Sequence, residues 1–501
     1  MKKTCIILNI FLFLSYGAFA QYVTPGTGVH WSLHELAANS NGAVVNVEFN
    51  NFVMYGDITL SSPDTLSIEE SALIEIQNGL LLTVKGVLLS NPVTGGYVTF
   101  TGNAEGKGNF KGIKFENSAG SQLHYTEILF GGGISLINSE VYFGYCTISF
   151  NDQALCSGAI TLSQCQPVIE ECTFYDNAGP AVMSPANGNA APLILNNHMF
   201  NNVTANINMP QINLGTTGPD TVVITGNTIE GLYTMAGGIA LSTLTGGEVK
   251  CSIENNTISN NRYGIAFIGS NITGVVKGNT LFGNNIQNDP MQGGSGLNFY
   301  GGATNKVKVT DNDIFNNLWG ITIQLNAAPN LGDADIFNYN PGGNSIWDNG
   351  NSGEIYDLYN NTPNPVKAEN NNWGTSDVET VEAHIFHQPD NSSLGMVDYL
   401  PILDPASLQS LQPGENDPEL WISPNPVKAG NLIQIVPVNI SRTCSSYLCE
   451  IADVMGKIVW KEGLAADLNE GFTVRADFPK GHYLIRIQDG TDIHSAKLVV
   501  Y

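Results

Sequence analysis

Apolar residues in this chain alternate with polar ones in short bursts, and Gly or Asn cuts each burst before it reaches the length of an ordinary helix. The cuts recur. The pattern is clearest at Val249–Phe267, which reads V-x-x-x-x-x-N-N-T-I-x-x-N-x-x-G-I-x-F and returns about once per 23 to 33 residues. The polar residue just before the T-I step, the anchor, is Cys146, Cys172, Asn197, Asn227, Asn256, Asn279, Asn312, Asn344 and, in a degenerate last copy, Asn371. Two residues on, the position is always apolar: Ile148, Phe174, Met199, Ile229, Ile258, Leu281, Ile314, Ile346 and Trp373. Five residues past the anchor a second Asn row runs through Asn151, Asn177, Asn202, Asn261, Asn284, Asn317 and Asn349, broken by Leu232.

A fixed period of this size predicts a solenoid. Three short strands fit into each period. The T-I strand is followed by G-[IL]-x-[LF], as in Gly112–Phe115, Gly264–Phe267 and Gly320–Ile323, and a third strand precedes the anchor, as in Val222–Ile224 and Val307–Val309. The period of two within each strand leaves one face buried and one wet. The predicted fold is all-β: a right-handed, single-stranded parallel β-helix whose coils pair about 4.8 Å apart. Asn suits its bends, because it tolerates left-handed backbone and because side-chain amides stacked from coil to coil can bond along the axis.

The ends of the chain read differently. Lys2 and Lys3, the apolar run Ile6–Leu14 and the small residues Ala18 and Ala20 before Gln21 predict a secretory signal peptide over 1–20. The apolar run is shorter than the roughly 18 residues of a membrane span, and no transmembrane segment is expected in the mature chain. Residues 21–57, with apolar spacing of helical type around Trp31–Ala37, are expected to cap the coil, 58–375 to form it, 376–403 to close it with a helix near Glu379–Phe386, and 404–417 to be a linker. Net charge is −25, or −27 without Lys2 and Lys3, which argues against a nucleic-acid partner. Seven cysteines follow the signal segment, an odd number. Cys146 and Cys172 share the anchor position on neighbouring coils, where either a disulfide or two thiols in an Asn slot fits; Cys444 and Cys449 are spaced to close a small ring.

From residue 418 the period stops, and separate strands with turns suggest a terminal β-sandwich. Four blocks carry a resemblance: Trp421-Ile-Ser-Pro424-Asn425-Pro426; Ile451-Ala-Asp453-Val-Met-Gly456-Lys457-Ile-Val459; Pro479-Lys-Gly481-His-Tyr483-Leu-Ile-Arg-Ile487; and Lys497-Leu-Val-Val500. In this order and place they resemble the type A C-terminal sorting domain of the type IX secretion system. The resemblance implies a small immunoglobulin-like β-sandwich over 418–501 that directs the folded protein through the type IX machinery of Bacteroidota, to the outer-membrane surface or the medium. The long loop Asn439–Ser445 and the two cysteines, Cys444 and Cys449, depart from that pattern. The coil separately resembles the right-handed β-helix repeat family, which includes pectate-lyase-like proteins and in which the ending Asn371-Asn372-Trp373-Gly374 is frequent. That fold hosts lyases, hydrolases, epimerases and adhesins alike, so it does not select a chemistry.

Lyases of that family hold calcium on several carboxylates and use Arg or Lys as base. Arg262 is the only arginine before Arg442, and stacking places Glu230, Asn284, Asn285, Asp311 and Asp313 within two coils of it; it reads either as a base or as a solvated turn residue. The aspartate pair, Gly-His-Gly and Arg-x-Lys of the galacturonase-type hydrolases do not occur, and His124 and His198 read as stacking residues. Asp333 and Asp335, in the long interruption Leu325–Gly343, are candidate calcium ligands. Trp319, Tyr339, Trp347, Tyr356 and Tyr359 crowd the last coils, where sugar rings can stack on them; Trp347, next to the ladder residue Ile346, is expected to point outward. The expected function is a secreted or surface β-helix protein that binds polysaccharide or another surface. The alternatives are a calcium-dependent lyase or a hydrolase of an acidic glycan, and a structural adhesin.

Overall fold

The computed structural model describes residues 21–403 except Thr94, together with most of 419–500. The expected signal peptide and linker lie outside the described residues. Two compact units divide at Pro405 and Ala406. The first is a parallel β-helix in which each coil contributes one strand to each of three long sheets, of 14, 14 and 13 strands. Sheet 1 collects the G-[IL]-x-[LF] strands, from Tyr22–Val23 to Ile385–Phe386; sheet 2 the strands before each anchor, from His30–Trp31 to Val397–Asp398; sheet 3 the T-I strands, from Val44–Glu48 to Ser345–Trp347. Pairing is in register across the repeat: Met199 faces Ile229, Ile229 faces Ile258, and Ile258 faces Leu281. These side chains are fully buried and form one of the ladders that fill the coil.

The segment 21–57 already supplies strands to all three sheets. Helix α1 (Leu33–Asn39) opens with a reciprocal cap between Ser32 and Glu35 and buries Leu33 and Leu36. The strand Val44–Glu48 pairs antiparallel with Asn51–Met54 and so ends the parallel order of sheet 3. Asp64 organises the entry loop. Its two carboxylate oxygens accept the backbone N–H groups of Gly26, Thr27, Gly28 and Val29 at 2.8–2.9 Å. Burial raises this carboxyl's pKa, but the Thr24 hydroxyl and those amides outweigh it and hold the group down to about 2. At the other end α2 (Val378–Ala383), shorter than the sequence suggested, leads into the last strand of sheet 1, Ile385–Phe386.

Each corner divides the work expected of one Asn between two residues. The residue before the ladder position takes the left-handed backbone, as at Asn196, Asn255 and Asp311 before anchors and Asn201, Asn260 and Asn316 before the second row. The ladder Asn itself is buried and bonds along the axis. Asn197, Asn227, Asn256, Asn279 and Asn312 each donate Nδ2–H to Oδ1 of the next anchor at 2.9 Å, and Asn344 donates to Asn371 at 2.8 Å. Cys172 and Cys146 continue the row as thiols: the Cys172 amide donates to Asn197 Oδ1, and the Cys146 amide to Cys172 Sγ at 3.3 Å.

The second ladder is continuous although its sequence row is not. Leu232 is 59% exposed and takes no part. Gln211, from the neighbouring sheet 1 strand, fills the vacant rung: Asn202 donates to its Oε1 at 3.0 Å and its Nε2 donates to Asn261 Oδ1 at 3.1 Å. The row ends on a carboxylate, because Asn349 donates both its backbone N–H and Nδ2–H to Asp357 Oδ1. Asp357 Oδ2 meets His384 Nδ1 at 3.1 Å. Burial raises the pKa of Asp357 against the lowering influence of His384 and Asn349.

The second unit has a three-stranded antiparallel sheet, Glu419–Ser423, Leu432–Val438 and Phe472–Arg475, and a four-stranded one, Ser446–Asp453, Ile458–Ala465, Gly481–Asp489 and Asp492–Val500. Their core holds Ile433, Ile435, Cys449, Ile451, Val474, Ile485, Ile487 and Leu498. The architecture is that of a small β-sandwich.

Two outcomes test these readings. Gln211→Ala leaves Asn202 and Asn261 without their partner and is expected to destabilise the coil by roughly 1–3 kcal/mol in denaturant unfolding, whereas Leu232→Asn changes little. Asp64, with its folded pKa below its ordinary 3.8, stabilises the fold above that value and ceases to do so as pH falls toward about 2. Thermal unfolding across that window should therefore show a loss of stability in the native protein that is smaller in Asp64→Asn.

Candidate functional site

Four successive strands of sheet 1, Ile265–Ile268, Ser295–Gly301, Trp319–Leu325 and Leu358–Asn361, floor a groove of about 390 Å³. At the coil spacing they span ~14 Å along the axis. Because strand side chains alternate, the outward positions fall into two rows fixed by pairing: Ala266, Asn298, Thr322 and Tyr359 in one, Gln324 and Asn361 in the other. The polar members are tied together. Thr322 Oγ1 donates to Asn298 Oδ1 at 2.9 Å, Gln324 Nε2 reaches the same oxygen at 3.3 Å, and Ser295 Oγ lies 3.0 Å from Thr322 Oγ1.

The wall is a loop, residues 285–294, inserted between the second-row Asn284 and the next sheet 1 strand. Arg262 and Trp319 hold it. Arg262 Nε donates to Gln287 Oε1 at 2.5 Å and Nη2 to the Gln292 carbonyl at 2.7 Å, while Nη1 bonds Asn208 Oδ1. The Trp319 indole N–H donates to the Pro290 carbonyl at 3.0 Å, and Met291 stands at the rim, 88% exposed. Gly293 allows the close approach, since a Cβ there would lie 2.9 Å from the Arg262 carbonyl oxygen.

The structure brings some of the candidate residues together and separates others. Trp319, Tyr356 and Tyr359 form one cluster with ring centroids 4.8–6.1 Å apart, and Phe386 stacks on Tyr359 at 4.6 Å. Trp347 points outward as expected, but from sheet 3, stacked on Phe315 at 4.9 Å and away from the cluster. Tyr339 is exposed on the 333–340 loop, and Trp373 is buried in the coil. Arg262 is only 5% exposed, so it is not a solvated turn residue, and its hydrogen bonds are made to neutral oxygens of Gln287, Asn208 and Gln292. Asp311 and Asp313 sit at the start of a T-I strand, whereas Arg262 follows the end of one, and neither aspartate lines the groove. Asp311 is 3.9 Å from Lys277; burial raises the carboxyl pKa of Asp313, offset in part by Ser345.

Asp333 and Asp335 each give one carboxylate oxygen to the backbone N–H two residues on, at 3.0 and 2.9 Å, and so shape a turn. Among the described residues no three of His, Cys, Asp or Glu come together as a metal-binding set. His124 and His198 pack on Tyr142 and Phe200 with centroids 4.8 and 4.6 Å apart.

In the second unit Asp453 pairs with Tyr483 across the four-stranded sheet, Gly481 pairs with Val500 and Lys497 with Leu484. Tyr483 is buried and its hydroxyl donates to the Pro479 carbonyl at 2.5 Å; Lys457 is exposed. Pro424, Asn425, Pro426, Gly456 and Cys444 lie outside the described residues.

Fold and terminal unit together define an exported parallel β-helix protein. Residues 422–501 match the secretion system C-terminal sorting domain family. The domain assigns the chain to type IX secretion and to the outer-membrane surface or the medium. No helix among the described residues is long and apolar enough to cross a membrane. No curated protein and no solved structure matches the chain.

Proposed function

We propose that this protein, once exported, binds a polysaccharide in the sheet 1 groove. The supporting observation is the pairing of an aromatic face, Trp319 and Tyr359, with Ser, Thr, Asn and Gln side chains on three successive strands of the floor. A sugar ring offers C–H groups on its faces and hydroxyls on its edge. Aromatic rings take the first, and amides, which both donate and accept, take the second. The floor belongs to the rigid sheet and the wall is tied to it, so the site needs little ordering before it binds. None of the lining residues is Asp, Glu, His or Lys; Arg262 is bonded to neutral oxygens, and burial pushes the Tyr263 and Tyr359 hydroxyls above the usual phenol range, which favours binding over cleavage.

The experiment is affinity electrophoresis of the purified chain through gels containing single polysaccharides. One polymer is expected to retard the native protein. Trp319→Ala is expected to weaken that retardation about tenfold, the loss of one stacking contact with its buried area. Trp347→Ala, whose ring lies on another sheet, should leave it unchanged while lowering thermal stability. Equal loss in both variants would mean that the groove is not the site.

A further inference from the structure

The groove residues also speak to the charge of the ligand, an inference that rests on the polysaccharide reading above. We propose that the polymer is uncharged: a hydroxyl-bearing chain without carboxylate or sulfate groups. Arg262 is the single cation among the lining residues, and it is already committed. Three of its N–H groups go to Gln287, Asn208 and Gln292, its side chain lies beneath the 285–294 loop, and only 5% of the residue meets solvent. A guanidinium that receives an anion presents its planar N–H edge to it, in pairs. Here all three nitrogens are engaged with protein oxygens, and the two N–H groups left over lie on different nitrogens in a buried setting.

What the groove does present is neutral. Asn298, Gln324 and Asn361 offer amides, which match sugar hydroxyls as donors and acceptors, while the buried Ser295 and Thr322 hydroxyls bond each other and brace Asn298. An anionic group lowered among them would lose its water without gaining an opposite charge, a costly exchange. The chain's net charge of −25 adds general repulsion toward a polyanion.

Arg262 is then a positioning residue. It fixes the 285–294 loop, whose Pro290 carbonyl holds the Trp319 indole and whose Gly294 carbonyl accepts the Trp319 backbone N–H at 3.0 Å. Removing the guanidinium loosens the wall and, through it, the aromatic face.

The test runs the full chain through gels containing neutral glucan, xylan, mannan or galactan and, in parallel, polygalacturonate, alginate or chondroitin sulfate, each at low and high salt. Retention by a neutral polymer, changing less than about twofold with salt, is the expected result, with the polyanions giving none. Arg262→Gln is expected to weaken retention and, in the ligand-free protein, to speed proteolytic cutting within the 285–294 loop. Arg262→Lys, which keeps the charge but not the fork of donors, should show the same defects to a smaller degree. Retention by a polyanion that weakens steeply with salt and vanishes in Arg262→Gln overturns the neutral-ligand inference and leaves the groove reading standing. Retention by no polymer overturns both. Unchanged loop cutting in both arginine variants, each folded by its melting curve, overturns the positioning role.

Discussion

The coil and the loops it carries depend on the buried amide ladders at its corners. A side-chain amide in a dry corner is costly unless its donors and acceptor are all used. In the anchor row each Asn meets that demand by donating Nδ2–H to the next coil, accepting on Oδ1 from the previous one, and returning a second bond to backbone carbonyls such as Ile224 O from Asn256. The arrangement has a direction. All the amide dipoles point the same way, donors toward the C-terminal end, so the last rung must accept from the amide before it and find other partners for any donor of its own. The second row ends on Asp357, a carboxylate backed by His384, and the first ends with Asn371 donating to the Leu331 and Ala368 carbonyls. A chain of aligned dipoles terminated by a negative group follows the same electrostatic logic as a charged residue at a helix end.

Corners held in this way separate the coil from its loops. Once the ladder Asn has fixed the turn, an insertion beyond it extends into solvent and leaves the register of the sheets intact. The anchors Asn256 and Asn279 are 23 residues apart and Asn279 and Asn312 are 33 apart, yet Ile258, Leu281 and Ile314 pair in register. The additional length lies in the 285–294 loop, which became the groove wall. The groove is therefore built from a regular floor, whose outward rows are aligned by the repeat, and one irregular wall secured by a single arginine.

The fold was legible because its determinants are periodic: the anchor row, the apolar row and the second Asn row each recur at a fixed offset and appear in the structure as stacked positions. The vacant rung at Leu232 was not, since Gln211 enters from another strand and no sequence offset links the two. Arg262 was visible as an isolated cation, but its burial depends on residues 54 positions upstream and 25 to 30 downstream. The aromatic cluster was partly legible. Trp319 and Tyr359 share a sheet, while Trp347 has an equally outward position on a different one, and only the assignment of each strand to its sheet tells them apart. The wall does have a signal in the sequence: the spacing from the second-row Asn to the next G-[IL] step is three residues at Asn261–Gly264 and Asn317–Gly320, but twelve at Asn284–Gly296. In the longer interruption at 325–343 the aspartates Asp333 and Asp335 shape their own turn.

The sorting domain and the groove place complementary demands on the coil. For the export that the sorting domain assigns, the coil is closed at both ends by helix and strand caps that hold its order from within. The proposed recognition of a repetitive polymer would use repeating contacts at a constant spacing, and the outward rows of sheet 1 recur at ~4.8 Å per coil. Both follow from the same cause. The amides that lock successive coils also lock the rows that face outward, so the bonds that hold the coil together also set the spacing of its groove.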